Sequence, residues 1–111
     1  MALQEKQLGQ ARENSTNAVS VYSPGASTTT IIKSVVVCNQ SAAAATFRIF
    51  LDDDGTTYDQ TTALYYDVSI PADTTVQIDT YWPMNDATGN IAYRSSVANA
   101  LTITVFGVEI T

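Results

Sequence analysis

The residues Ala63-Leu64-Tyr65-Tyr66-Asp67-Val68-Ser69-Ile70, then Pro71-Ala72-Asp73, then Thr74-Thr75-Val76-Gln77-Ile78-Asp79-Thr80-Tyr81-Trp82, decide the fold class. In the first run Leu64, Tyr66, Val68 and Ile70 alternate with Ala63, Tyr65, Asp67 and Ser69. In the second, Val76, Ile78 and Trp82 alternate with Thr75, Gln77, Asp79 and Tyr81. A period of two places successive side chains on opposite faces of a strand, whereas one apolar helix face needs a period near 3.6. Proline presets φ and has no N–H to donate, so Pro71-Ala72-Asp73 reads as a turn. The two runs are expected to pair as an antiparallel hairpin.

The same reading extends outward. Ala45 to Asp52 forms a strand with Ala45, Phe47, Ile49 and Leu51 on one face. Arg48 and Asp52 lie on the other face, beside an exposed-phase Phe50, and Asp52-Asp53-Asp54-Gly55 ends the run with an Asp-Gly turn signal. Thr28 to Asn39 is β-branched almost throughout, which disfavours helix and suits a strand. Both its faces are apolar: Ile32, Val36 and Cys38 against Ile31, Val35 and Val37. That pattern implies a central strand, or one covered by another subunit. From Ala100 to Ile110 the phase changes, with Leu101, Ile103 and Val105 on one face and Phe106, Val108 and Ile110 on the other. A bulge at Gly107 would turn both triplets inward. Ala18 to Tyr22 and Asn90 to Arg94 are shorter strands. The count is seven strands, eight if the N-terminal segment pairs. The expected fold is a single all-β domain, an antiparallel β-sandwich of jelly-roll type rather than an immunoglobulin-like order, although periodicity itself leaves the connectivity open. Residues 1–14 read as an N-terminal arm and 15–111 as the sandwich.

Composition narrows the function. At 111 residues the chain suits one domain, and 45% of it is hydrophobic. Only 14% is charged, against the usual quarter, and small neutral residues fill the difference. Such a surface suits packing against copies or a neighbour. The net charge is −6, and Lys6, Arg12, Lys33, Arg48 and Arg94 are scattered singly, so no nucleic-acid binding is expected. The one cysteine, Cys38, sits in an apolar run and reads as a buried, inert thiol. The N-terminus lacks the apolar stretch of a signal peptide and no segment reaches membrane-spanning length. Synthesis and assembly in a cytoplasm, without membrane contact, is the expectation.

No constellation of catalytic or cofactor chemistry emerges. Calcium in a helix–loop–helix site needs a glycine at the sixth loop position and a glutamate at the twelfth, whereas Gly55 follows Asp52 by only three residues and no glutamate closes the loop. The aspartates fall in turns or on polar faces, away from the apolar pocket that would raise one for acid catalysis. The chain has no histidine, which excludes the usual serine triads. We therefore expect no enzyme activity, no cofactor and no metal. Trp82 shares the phase of Val76 and Ile78 and belongs to the core, leaving Tyr65 and Tyr81 as outward aromatics suited to a protein interface, or to a sugar. Leu3 and Leu8 punctuate the polar arm, which could add a strand to a neighbouring subunit or remain a tail. The candidate interface residues are Leu3, Leu8, Phe50, Tyr65 and Tyr81.

Several strings follow one another in a familiar order: Leu8-Gly9-Gln10, Tyr22-Ser23-Pro24-Gly25, Thr30-Ile31-Ile32-Lys33-Ser34 and Phe47-Arg48-Ile49-Phe50. Asp52-Asp53-Asp54-Gly55-Thr56-Thr57-Tyr58-Asp59, Thr62-Ala63-Leu64-Tyr65-Tyr66 and Phe106-Gly107-Val108-Glu109-Ile110 continue the series. In these the chain resembles small virion structural proteins of tailed bacteriophages. The likeness spans most of the sequence, and its motifs are turns and strand edges that carry over no functional residue. The resemblance implies a capsid decoration (cement) protein, a homotrimer on the capsid exterior that ties major capsid protein subunits together after assembly in the bacterial host cytoplasm. The alternative it implies is a tail, neck or head-fibre component that recognises a host-surface carbohydrate.

Overall fold

The computed structural model describes residues 2–111. Eight strands follow in order: β1 (Leu3–Arg12), β2 (Val19–Tyr22), β3 (Thr29–Asn39), β4 (Ala45–Asp52), β5 (Ala63–Ile70), β6 (Thr75–Met84), β7 (Asn90–Ser95) and β8 (Leu101–Ile110). They build two antiparallel four-stranded sheets, β1-β8-β3-β6 (sheet A) and β2-β7-β4-β5 (sheet B). The pairs β1·β8, β2·β7, β3·β6 and β4·β5 are those of one long hairpin whose tip is the segment 53–62. Two further pairings, β3 with β8 and β4 with β7, roll that hairpin into two layers. This is jelly-roll connectivity.

The core lies between the layers. Sheet A contributes Ile32, Val35, Val37, Leu101, Ile103 and Val105, and sheet B contributes Phe47, Ile49, Ile70, Ile91 and Tyr93, all fully or almost fully buried. Tyr93 spans the two layers. Its hydroxyl accepts from the Glu13 N–H at 2.7 Å and donates to the Leu101 carbonyl at 3.2 Å. At the far end of the sandwich the Glu109 carboxylate accepts from the Tyr22 hydroxyl at 2.5 Å and pairs with Lys6 at 2.7 Å, joining β1, β2 and β8. Lys6 first and Tyr22 second hold Glu109 below the usual carboxylate range. Burial and the acceptor Glu109 push Tyr22 up to about 12.

Four expectations need correction. The runs around Pro71-Ala72-Asp73 do not form a hairpin, because β5 belongs to sheet B and β6 to sheet A, where it pairs with β3. The turn instead carries the chain between layers, with Asp73 at φ 54°. On β5 the alternation breaks at Asp67, which has φ 54°. Phe47 pairs with Val68 but Ile49 pairs with Tyr65, so one extra residue is accommodated there. Tyr65 consequently joins Val68 and Ile70 on the inner side, while Leu64 and Tyr66 point out. On β3 the extra residue is Lys33, opposite the step from Phe106 to Gly107, so Ile32 shares the inner face with Val35 and Val37. Cys38 is thus half-buried on the outer side of sheet A, not in the core. On β8 itself no residue is inserted: the insertions facing it are Leu8 and Lys33 on its neighbours. Phe106, Val108 and Ile110 therefore keep their phase and face outward.

The segment read as an arm is the edge strand β1, paired along its length with β8 of its own chain; Met1 lies outside the described residues.

A candidate docking face on sheet A

The two outer faces of the sandwich are finished differently. On sheet B, Arg48 lies across the Tyr66 ring with its guanidinium carbon 3.9 Å from the ring centre, and bridges to Asp67 at 2.6 and 3.0 Å. That guanidinium holds Asp67 below the usual carboxylate range. Arg94 donates to the Thr16 carbonyl at 3.0 Å. Phe50, expected to be exposed, is 2% exposed. The segment 53–62 folds back over it and brings the Tyr58 ring to 6.1 Å. The Asp52 carboxylate anchors that segment by accepting from the Thr57 and Asp54 N–H groups at 2.8 and 3.3 Å, which lowers its pKa. Asn90 adds a bond to the Gly55 carbonyl at 2.9 Å. Sheet B is covered at β4 by its own chain, although Leu64 and Tyr66 on its edge strand β5 stay 44% and 41% exposed.

Sheet A is not covered in this way. Its register sets the outward side chains in cross-strand rows. Leu3, Ile110 and Thr29 form one; Glu5, Val108, Ile31 and Pro83 the next; Gln7, Phe106, Ser34 and Asp79 a third. Tyr81 stands at the inserted position of β6 beside this third row, with the Lys33 ammonium 5.5 Å from its ring centre. Leu3 is 67% exposed, Tyr81 64% and Phe106 38%. Beyond them the rows turn polar: Gln10, Thr104, Val36 and Gln77, then Arg12, Thr102, Cys38 and Thr75. The Ser34 hydroxyl, next to the Lys33 insertion where the ladder is interrupted, is buried and without a partner. An open groove of about 410 Å³ runs between Glu5, Gln7, Lys33, Phe106 and Val108.

Of the five residues singled out in the sequence, the structure brings Leu3 and Tyr81 onto this face. Leu8, at the insertion in β1, packs against the core, as does Tyr65, which sits 6.3 Å from Phe47 and 6.2 Å from Trp82 between ring centres. Phe50 lies under its own loop. Phe106, Val108, Ile31 and Ile110 were not anticipated. Unbroken alternation along β8 was the signal for three of them, overridden by the expectation of a bulge at Gly107.

The fold has a counterpart of known structure. A chain in the structure of infectious bursal disease virus, Gx strain, superposes with a TM-score of 0.53 at 11% sequence identity. The match covers 98% of this chain and 33% of that one, so this chain spans about a third of the viral chain's length. At that identity the likeness concerns the fold. No protein-family model matches the sequence, and no curated protein matches it.

Chemically, the face offers aromatic and aliphatic anchors, few charges and no cluster of nucleophiles or metal ligands among the described residues.

Proposed function

We propose that this chain is a virion structural protein, acting as a capsid decoration (cement) protein of a tailed bacteriophage. It works without catalysis, on the capsid exterior, as a homo-oligomer that ties neighbouring major capsid protein subunits together. The observation that carries this reading is the uncovered apolar half of sheet A. Leu3, Phe106 and Tyr81 stand exposed there beside Ile31, Val108 and Ile110, whereas antiparallel sheets normally turn a polar face to water. The sequence resemblance to phage virion proteins supports the same reading. So does the jelly roll, an architecture that recurs in viral capsid domains. The mechanism is mechanical: many identical contacts, each modest, sum to a shell that resists internal pressure. A host-glycan role in a tail or head fibre draws less support, since Tyr65 faces inward and the loop 53–62 is tied down over Phe50.

Particles assembled without this chain should lose their genome at a lower temperature than complete particles, and purified protein added back should restore the difference. Identical melting of the two would sink the cement role.

A further inference from the structure

The apolar half of sheet A leaves open what covers it, and the distribution of charge answers that. Of the five basic and eleven acidic residues in the chain, Arg12, Lys33, Glu5 and Asp79 project from the outer side of sheet A. These four cancel. The whole net charge of −6 therefore belongs to the remaining surface. Two copies approaching through the loops at either end, which carry Glu13, Asp53, Asp54, Asp59, Asp73 and Asp86 and no basic residue, meet like charge, which disfavours contact. The outer side of sheet B, with Arg48, Asp67 and Arg94, is mixed in sign. Through sheet A they meet a neutral, self-complementary mixture of both signs around an aromatic centre. The Lys6–Glu109 pair adds no free charge to this side, because each neutralises the other at 2.7 Å.

Size agrees. Strands of about ten residues rising ~3.3 Å each, four abreast at ~4.8 Å, present roughly 600 Å². Two such faces bury about 1,200 Å² in total, the lower bound for a specific, stable interface. Aromatic side chains near the centre of a patch are the usual anchors of such contacts. Phe106, on an inner strand of the sheet, meets that description, and Tyr81 flanks it from the edge strand β6.

We infer that the outer face of sheet A is the contact between copies of this chain, with Phe106 and Tyr81 as its anchors. The inference rests on reading the protein as a non-catalytic assembly component, and assigns the partner of that site. The acidic surfaces are left free for the shell.

The test is the solution mass of the purified full chain, measured by light scattering and by sedimentation over a concentration series. The wild type should form a defined homo-oligomer. Phe106→Glu and, separately, Tyr81→Glu should raise its dissociation constant about a hundredfold or more, the scale of a central aromatic anchor. Ser69→Glu, on the exposed outer side of sheet B, should leave it unchanged. Circular dichroism on each variant confirms that a lost oligomer is not a lost fold. If Phe106→Glu does not fold, Tyr81→Glu decides alone, since its side chain already stands in solvent. A wild type that stays monomeric at ~100 μM, or an oligomer indifferent to both substitutions in folded protein, overturns the inference. If the monomeric wild type nevertheless protects particles and Phe106→Glu does not, the face belongs to the shell: the self-contact fails and the cement reading stands. If the oligomer forms as expected and particles melt identically with and without it, the cement reading fails and the self-contact stands.

Discussion

Replacing Asn39 by aspartate preserves the shape of a side chain on which one corner of the sandwich turns. Asn39 ends β3 and is 1% exposed. The two hydrogens of its amide nitrogen are shared among the carbonyls of Ala43, Ile70 and Pro71, at 3.0, 3.1 and 3.1 Å. Its amide oxygen accepts from the Ser41 N–H and hydroxyl at 3.0 and 2.8 Å. One side chain thus fastens the end of β3, the 40–44 turn and the exit of β5. A carboxylate keeps the accepting half and sets a second acceptor against three carbonyl oxygens. Each lost donor bond costs about 1 kcal/mol, and an unpaired buried charge adds to that, for a total of roughly 3–5 kcal/mol at neutral pH. Against a total stability of about 5–15 kcal/mol, the melting temperature should fall by on the order of 20 °C. The loss also has a definite pH dependence. Burial and the three carbonyls disfavour the charged form, so the variant's aspartate titrates higher in the folded chain than its value of about 3.9 in the unfolded one. Its deficit relative to wild type is therefore smallest below about pH 4 and grows as the pH rises towards the folded value, by up to ~1.4 kcal/mol per unit. Asparagine does not titrate, so the difference between the two proteins isolates this group. Urea melts at pH 5 and pH 7, both above the isoelectric point of about 4.1, provide the measurement. A variant within 1 kcal/mol of wild type at pH 7, or a deficit equal at the two pH values, refutes the claim that the amide donors hold this corner.

Two further substitutions probe the layers themselves. Tyr93→Phe removes the hydroxyl that bridges β7 to the Glu13 N–H and the Leu101 carbonyl, at a cost of about 1–2 kcal/mol and a melting temperature some 5–10 °C lower; an unchanged melting curve would show that the bridge contributes nothing. Gly107→Ala places a methyl group against the Ile31 carbonyl and 2.9 Å from a Leu8 methyl. Backbone cannot swing aside as a side chain can, so a loss of about 2–3 kcal/mol is expected in the urea midpoint, and one below 0.5 kcal/mol would mean that the sheet yields there.

The all-β class and the strand positions are legible in the sequence because period-two alternation is local, whereas the connectivity depends on which strands pair and is not, as the separation of β5 from β6 shows. The errors of facing on β3, β5 and β8 share one cause: an inserted residue reverses a face, and which strand of a pair carries it depends on the partner. Asp67 shows this on β5, where Tyr65 and Tyr66 exchange sides across a bulge that the alternation of Leu64, Tyr66, Val68 and Ile70 conceals. On β8 the error ran the other way. Gly107 invited a bulge on its own strand, but the extra residues sit opposite it, at Leu8 and Lys33, and the glycine is needed instead for close approach to Ile31. Phe50 was misread for a different reason. Its phase was right, but its cover comes from Tyr58, a residue of the loop. Asn39 gave no signal at all, since its importance lies in three carbonyls contributed by other segments.

The outward side chains of sheet A also bear on whether its apolar half is a by-product of strand propensity. Threonine is as good a strand former as valine or isoleucine, and rows of the same sheet use it: Thr104 and Thr102 on β8, with Gln10 and Arg12 beside them on β1. The chain therefore specifies a polar outer surface where it has one, in the same strands and with the same backbone geometry. The departure is confined to the rows from Leu3 and Ile110 through Val108 and Ile31 to Phe106, which on β8 share their side with Thr102 and Thr104. Propensity does not draw that boundary along β8, where the outward side changes from Thr102 and Thr104 to Phe106, Val108 and Ile110 with no change of backbone geometry. A change of that kind on the inner strand is what the proposed contact between copies, centred on Phe106, requires.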